Sequence, residues 1–190
     1  MTAGGVAIGA VTVFCGAAPG QGAGYARAAA ELGRAIADAG LDLVYGGAAI
    51  GLMGAVADGA LGAGGTVTGV LPRSMLPHEI AHPGLTDLRL VPDMHARKAL
   101  MSELGDAFVT LPGGIGTAEE FFEVLTWSQL GLHHKPCVLL DTDGYYGPLL
   151  AFLDHAVREG FVGPGDMARL LVCRRPDEVV AALRASVHHG

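Results

Sequence analysis

The run Asp106-Ala107-Phe108-Val109-Thr110-Leu111, continuing as Pro112-Gly113-Gly114-Ile115-Gly116-Thr117-Ala118-Glu119-Glu120, decides how this chain folds. Its first part has the composition of a strand buried in a parallel sheet, and Phe121, Phe122, Val124, Leu125 and Leu130 beyond it recur at helical spacing. The glycines therefore occupy a strand-to-helix turn. There they let the backbone approach a ligand closely, and the first free N–H groups of the helix, at the positive end of its dipole, favour an anion. Glu119 and Glu120 do not suit a phosphate. One turn into the helix, they are placed to meet the uncharged part of a phosphorylated ligand, such as sugar hydroxyls or a reacting centre. The combination points to a nucleotide whose sugar is handled chemically.

Outward from this turn, strand-like and helix-like runs alternate along the chain. Before it come strands at Val11 to Cys15, Leu41 to Tyr45, Thr66 to Leu71 and Leu88 to Val91, with helices at Ala26 to Ala39, Leu52 to Leu61 and Ala96 to Leu104. After it come a helix at Ala118 to Leu130, a strand at Cys137 to Leu140, a helix at Tyr146 to Arg158, a strand at Arg169 to Val172 and a helix at Asp177 to Ala185. Repeated βα units with Gly-rich turns demand right-handed crossovers. The expected fold is an α/β, Rossmann-like, doubly wound parallel sheet with helices on both faces and ligands at the carboxyl ends of the strands. No linker or repeat divides residues 1–190, so a single nucleotide-binding domain is expected. The longest irregular stretch, Pro72 to about Thr86, is long enough to suggest a functional loop.

Composition narrows the function further. In 190 residues, 51% are hydrophobic, which supports a sizeable core and excludes disorder. Twelve Lys and Arg against nineteen Asp and Glu give a net charge of −7, which disfavours a nonspecific grip on nucleic acid or an anionic membrane and favours a small ligand. Cys15, Cys137 and Cys173 are odd in number and form no CxxC pair, as expected of reduced thiols in the cytoplasm. Met1 to Ala18 carries no Lys or Arg ahead of its apolar part, so it reads as a first strand rather than a signal peptide, and no run is long enough to span a membrane.

Two further Gly-rich turns follow strands. Gly16-Ala17-Ala18-Pro19-Gly20-Gln21-Gly22 lacks the G-x-G-x-x-G spacing, and the second strand ends Leu43-Val44-Tyr45-Gly46-Gly47 without the carboxylate that would hold an adenosine ribose. A dinucleotide cofactor is therefore disfavoured. Gly46-Gly47-Ala48-Ala49-Ile50-Gly51 opens a helix, and tight strand-to-helix packing is its preferred reading over a phosphate contact.

Leu111 to Glu120, preceded by Met94-His95-Ala96-Arg97-Lys98, resembles the paired signatures PGGxGTxxE and upstream Arg-Lys of the LONELY GUY (LOG) family of cytokinin riboside 5′-monophosphate phosphoribohydrolases. The resemblance extends through Val13-Phe14-Cys15-Gly16, Tyr45-Gly46-Gly47, Gly51-Leu52-Met53-Gly54, Leu76-Pro77-His78-Glu79-Ile80, Thr126-Trp127-Ser128-Gln129-Leu130-Gly131 and Asp143-Gly144-Tyr145-Tyr146. Such proteins have also been called lysine decarboxylases, but no pyridoxal phosphate site is legible here. Where family members often carry serines after Phe-Cys-Gly, this chain has Ala17 and Ala18.

The resemblance implies hydrolysis of the N-glycosidic bond of an N6-modified adenosine 5′-monophosphate, or of AMP, to free base and ribose 5-phosphate, with no cofactor and no metal. It implies a homodimer whose active site is lined partly by the partner subunit; a mean hydropathy of +0.42 permits an apolar interface. Arg97 and Glu120 are the expected catalytic residues. A carboxylate stabilises the oxocarbenium-like transition state and orients water, and a guanidinium that stays charged suits electrostatic stabilisation. Substrate binding is expected from Arg97, Lys98, Gly113, Gly114, Ile115, Gly116, Thr117, Ala118 and Glu119, with Glu79 and Thr126 carried over as further contacts. Glu119 and Glu120 diverge by roughly 100° around a helix, as do Arg97 and Lys98, so neighbours cannot share one role.

Two other function classes compete. A binding module of the same fold would turn nothing over, but such a module needs neither Arg97 nor Glu120. His78-Glu79-Ile80-Ala81-His82 matches the HExxH signature of zinc hydrolases, which requires a sustained helix; Pro77 before it and Pro83-Gly84 after it deny that helix. The remaining histidines show no metal-ligand spacing and are expected to face solvent, with His95 near enough to Arg97 to approach the site.

Overall fold

A computed structural model describes residues 7–76 and 80–187. Seven strands form one sheet in the order β4-β3-β2-β1-β5-β6-β7. They are β1 (Ala10–Phe14), β2 (Asp42–Tyr45), β3 (Val67–Pro72), β4 (Asp87–Val91), β5 (Ala107–Thr110), β6 (Cys137–Leu140) and β7 (Leu170–Cys173), and every neighbouring pair is parallel. The helices are α1 (Ala23–Asp38), α2 (Gly51–Gly62), α3 (Met94–Leu104), α4 (Ile115–Gln129), α5 (Gly147–Arg158), α6 (Pro164–Met167) and α7 (Pro176–Val187).

The alternation of side chains along the central strands builds two cores. Val11 and Val13 of β1 and Val109 of β5 face Leu32 and Ile36 of α1, Leu52 and Val56 of α2, and Val179 and Leu183 of α7. Phe14 and Phe108 point the other way, against Met101 of α3, Phe121 and Val124 of α4, and Leu153 of α5. Because both faces are covered, β1 and β5 are buried almost throughout, and their sequences read as continuous apolar runs rather than as alternation.

The element boundaries agree with the sequence periodicity to within a few residues, and the short helix α6 is an addition to it. The connection from β3 to β4, expected to be irregular, has no α-helix among its described residues. Its described residues include a 3-10 turn at Arg73–Met75 and, further on, Ala81, which bridges Ala48 in antiparallel sense. Pro83-Gly84 stops any helix from continuing there.

The strand order fixes where a ligand can sit. β1 pairs with β2 on one side and β5 on the other, so the chain leaves β1 for one half of the sheet and returns beside it to build the second half. Loops after β1 and β5 therefore diverge to opposite faces and open a crevice at the carboxyl edge, the usual ligand position in such sheets. The two turns are tied at its floor: Gly16 N–H donates to the Pro112 carbonyl (3.1 Å) and Leu52 N–H to that of Gly16 (3.0 Å).

Candidate active site

The crevice holds a cleft of about 560 Å³. Its walls come from the ends of β1 and β5, the turn at residues 16–20, and α3, with Glu119 and Glu120 of α4 and Tyr145 closing it. Four methionines, Met53, Met75, Met94 and Met101, supply much of its apolar lining.

Along one wall, α4 begins at Ile115 with Gly114 as N-cap and no side-chain cap, so its first N–H groups are left to a ligand or to water. Thr117 is buried beneath the turn, and a Cβ at Gly113 would stand 2.2 Å from its Oγ1. Gly113 is thus the residue that lets Thr117 and the turn share one space. Gly113, Gly114, Gly116 and Thr117 all line the cleft, whereas the Ile115 side chain is 91% exposed.

Opposite lies Arg97, only 6% exposed. α3 starts at an Asp93 cap whose carboxylate accepts from Ala96 N–H at 2.8 Å, and Arg97 follows one turn on, directed inward. Its Nε donates to the Val70 carbonyl (3.1 Å) and its Nη2 to the Gly46 carbonyl (3.2 Å), while Nη1 lies 3.8 Å from the Met94 sulfur. A side chain at Gly46 would meet Nη2 at 2.1 Å, so the glycine that directly follows β2 is what admits the guanidinium. Among the described residues Arg97 has no carboxylate within 4 Å. A guanidinium carries five N–H donors, and the two carbonyls leave some of them for a ligand.

Glu120 faces this cation. Burial pushes its carboxyl up to about 7, against the pull of Arg97, and Glu119 adds repulsion. The Cys15 thiol, buried at the end of β1 and lining the same cleft, is also driven up by burial and by Glu120, so it stays protonated and is no nucleophile.

Lys98 and Glu119 turn away from this pair, as helical geometry requires. Lys98 Nζ bonds to Glu119 and, at 3.0 Å, to Glu123, and its charge is held more firmly by the Glu119 bond first of all. The side chain is 11% exposed and bridges α3 to α4. Thr126 is exposed on α4 and Ala118 is half-buried in its first turns; neither lines the cleft. Glu79 lies outside the described residues, as does His78.

The Val70 and Gly46 carbonyls draw Arg97 inward. Two sequence expectations change. His95 is exposed and does not line the cleft. His133 does not face solvent: Nε2 contacts the Val124 carbonyl (2.8 Å), Nδ1 accepts from Lys135 N–H, and burial lowers its pKa. His82 bonds to Asp58 of α2 at 3.0 Å, and among the described residues no group of three or more His, Cys, Asp or Glu is placed to hold a metal. Residues that sequence reasoning did not assign to the site include Gly46, the methionines and Tyr145. The signals for Gly46 were its place as the first glycine after a strand and its share in the Tyr45-Gly46-Gly47 resemblance.

Strand order, the Gly-rich helix start and the buried Arg97–Glu120 couple define a Rossmann-like α/β enzyme with its cleft at the sheet's switch point. A family model described as "Possible lysine decarboxylase" matches residues 53–183. The chain is 60% identical to the cytokinin riboside 5′-monophosphate phosphoribohydrolase of Rhodococcoides fascians, over 92% of this chain and 89% of that protein. It is 47% identical to a phosphoribohydrolase of the same name from Arabidopsis thaliana, over 88% of this chain and 76% of that one. Among solved structures, the molybdenum cofactor binding protein of Rippkaea orientalis superposes with a TM-score of 0.72 at 22% identity, covering 95% of this chain and 98% of that one, a likeness of fold. The chain belongs to the LONELY GUY (LOG) family. The decarboxylase wording has no support in its lysines: the chain has two, Lys98 held by carboxylates and Lys135 held by the Ser102 and Gly105 carbonyls, and neither lines the cleft.

Proposed function

We propose that this chain hydrolyses the N-glycosidic bond of an N6-modified adenosine 5′-monophosphate, or of AMP, releasing the base and ribose 5-phosphate. The observation that carries the reading is the pairing, in one cleft, of a buried guanidinium lacking a carboxylate partner with a carboxyl whose pKa is raised toward neutrality. The 5′-phosphate is assigned to the N–H groups of Gly113 to Thr117 and to the Thr117 hydroxyl. That places the sugar one turn further along α4, at Glu120. As the C1′–N bond breaks, positive charge builds on the ribose, and ionised Glu120 stabilises it while orienting water. Water supplies hydroxide to C1′ and its proton is taken up as the base departs. Arg97 fixes the ligand's negative or electron-rich atoms through its remaining donors.

The Met-lined wall suits an apolar substituent on the base, since thioether side chains repack readily around irregular groups. Lys98 acts by holding Glu119 at the cleft's edge. Glu79 is assigned to substrate binding on the family resemblance alone. Thr126 is assigned to substrate binding on that resemblance as well. A homodimer forms part of the same reading: Leu130, Leu132, Phe152 and Phe161 are exposed apolar side chains that an interface would cover. Gel filtration reads the mass. No helix among the described residues is long and apolar enough to cross a membrane. The three free thiols fit a cytoplasmic, reducing compartment.

Chromatography of base released from a panel of nucleosides and their mono- and diphosphates tests the reading. Preference for monophosphates is expected, and release of no base from any of them overturns it.

A further inference from the structure

The carbonyls of the phosphate turn each have a donor within the chain. Tyr146 O–H, from the loop after β6, donates to the Leu111 carbonyl at 2.6 Å in a buried bond. Gly16 N–H donates to the Pro112 carbonyl, and Ala118 N–H closes the first turn of α4 onto the Gly114 carbonyl. The Gly113 carbonyl, between these, is taken by Tyr145 O–H. From Leu111 to Gly114 every backbone acceptor is engaged, so this stretch offers a ligand only its donors.

Three of these four bonds are made by backbone groups or by a buried hydroxyl. The fourth is different. It fixes the peptide joining Gly113 to Gly114, two residues without Cβ, whose plane turns over at little steric cost. A flipped peptide would aim a carbonyl oxygen where an anion is to bind. Tyr145 is 42% exposed, lines the cleft and packs edge-on against Tyr25 of α1, with ring centroids 5.8 Å apart. Tyr25 in turn lies beneath Gly20, where a Cβ would meet its ring at 2.8 Å. The ring is thus held from the turn after β1, while the hydroxyl reaches the turn after β5.

We propose that Tyr145 is a positioning residue for phosphate recognition: its hydroxyl selects the orientation of the Gly113–Gly114 peptide that keeps the carbonyl off the anion and the turn's N–H groups toward it. With Ala17 and Ala18 supplying no hydroxyl from the neighbouring turn, this chain depends on that orientation more heavily.

The proposal rests on the phosphate assignment above, and the test separates the two. Tyr145→Phe keeps the ring against Tyr25 and removes only the hydroxyl. Inhibition constants are measured for ribose 5-phosphate, which occupies the turn, and for adenine, which does not. In the variant the ribose 5-phosphate constant rises on the order of tenfold while that for adenine stays within about twofold. Equal weakening of both, or no change in either, overturns the role of Tyr145. If wild-type protein itself binds ribose 5-phosphate no better than ribose, the phosphate assignment fails instead.

Discussion

α3 and α4 present two neighbouring couples of opposite charge, offset by one residue on each helix. Lys98 and Glu119 meet near the surface and close a bridge joined by Glu123. Arg97 and Glu120 point into the cleft; both are more buried than Glu119, and no ion pair closes between them within 4 Å. One residue of rotation, roughly 100° in a helix, separates a structural clasp from an open electrostatic site. The closed couple satisfies its charges with each other. The open couple satisfies the cation with peptide carbonyls and leaves the anion half-neutralised by burial, which reserves both for a third party.

The contrast is broken most severely at Glu120. Glu120→Gln is expected to slow base release by about a thousandfold or more, while nucleotide affinity by calorimetry changes little. Full activity in that variant would remove Glu120 from the mechanism. Arg97→Lys keeps the charge but not the planar fork that spans Val70 and Gly46, and turnover is expected to fall by about a hundredfold. Unchanged kinetics there would return Arg97 to a packing role.

A smaller effect is read from pH. If ionised Glu120 does the work, kcat/KM of the wild type rises with pH through a midpoint near 7, the value set by burial. A flat profile between pH 5 and about 8 would contradict it. The same shift bears on stability with the opposite sense. Because the folded chain holds the proton to higher pH than the unfolded one, this group's contribution is full below its ordinary 4.5 and is lost as pH rises through about 7. Glu120→Gln should therefore raise stability at pH 8 relative to wild type, by about 3 kcal/mol at most, and leave it nearly unchanged at pH 4. Thermal melts at the two pH values measure the difference.

The clasp should respond least. Lys98→Met is expected to cost under about 1 kcal/mol in urea titrations, since Glu119 is 52% exposed and an ion pair so open to water contributes little. KM for the monophosphate should shift by no more than a few-fold. A loss as large as that at Arg97 would erase the distinction between the couples.

Much of the architecture was legible in local pattern. Apolar runs ended by glycines marked β1, β2 and β5, and the spacing of Phe121, Val124 and Leu125 marked α4. The opposed directions of Glu119 and Glu120 followed from helix geometry alone. The loop from β3 to β4 was legible as irregular but not in its role, because its prolines say where a helix stops and not what the extended chain meets. His133 differs from expectation for a related reason: His134 and Lys135 beside it are polar, while its ring packs on Phe108, 5.2 Å away between centroids.

By itself the sequence determined the βα alternation, the Gly-rich turn at Pro112 to Thr117, the two glutamates one turn into α4 and the absence of an acid after β2. These are properties of adjacent residues, set by backbone freedom, helical period and charge. Tertiary structure alone decided that Arg97 is buried and, among the described residues, has no carboxylate within 4 Å, because its partners are carbonyls 27 and 51 residues away. It likewise decided that Tyr145 reaches Gly113 across 32 residues. Such contacts depend on which strands lie side by side, and the order β2-β1-β5 at the centre of the sheet is fixed by the packing of both faces rather than by any local run of residues.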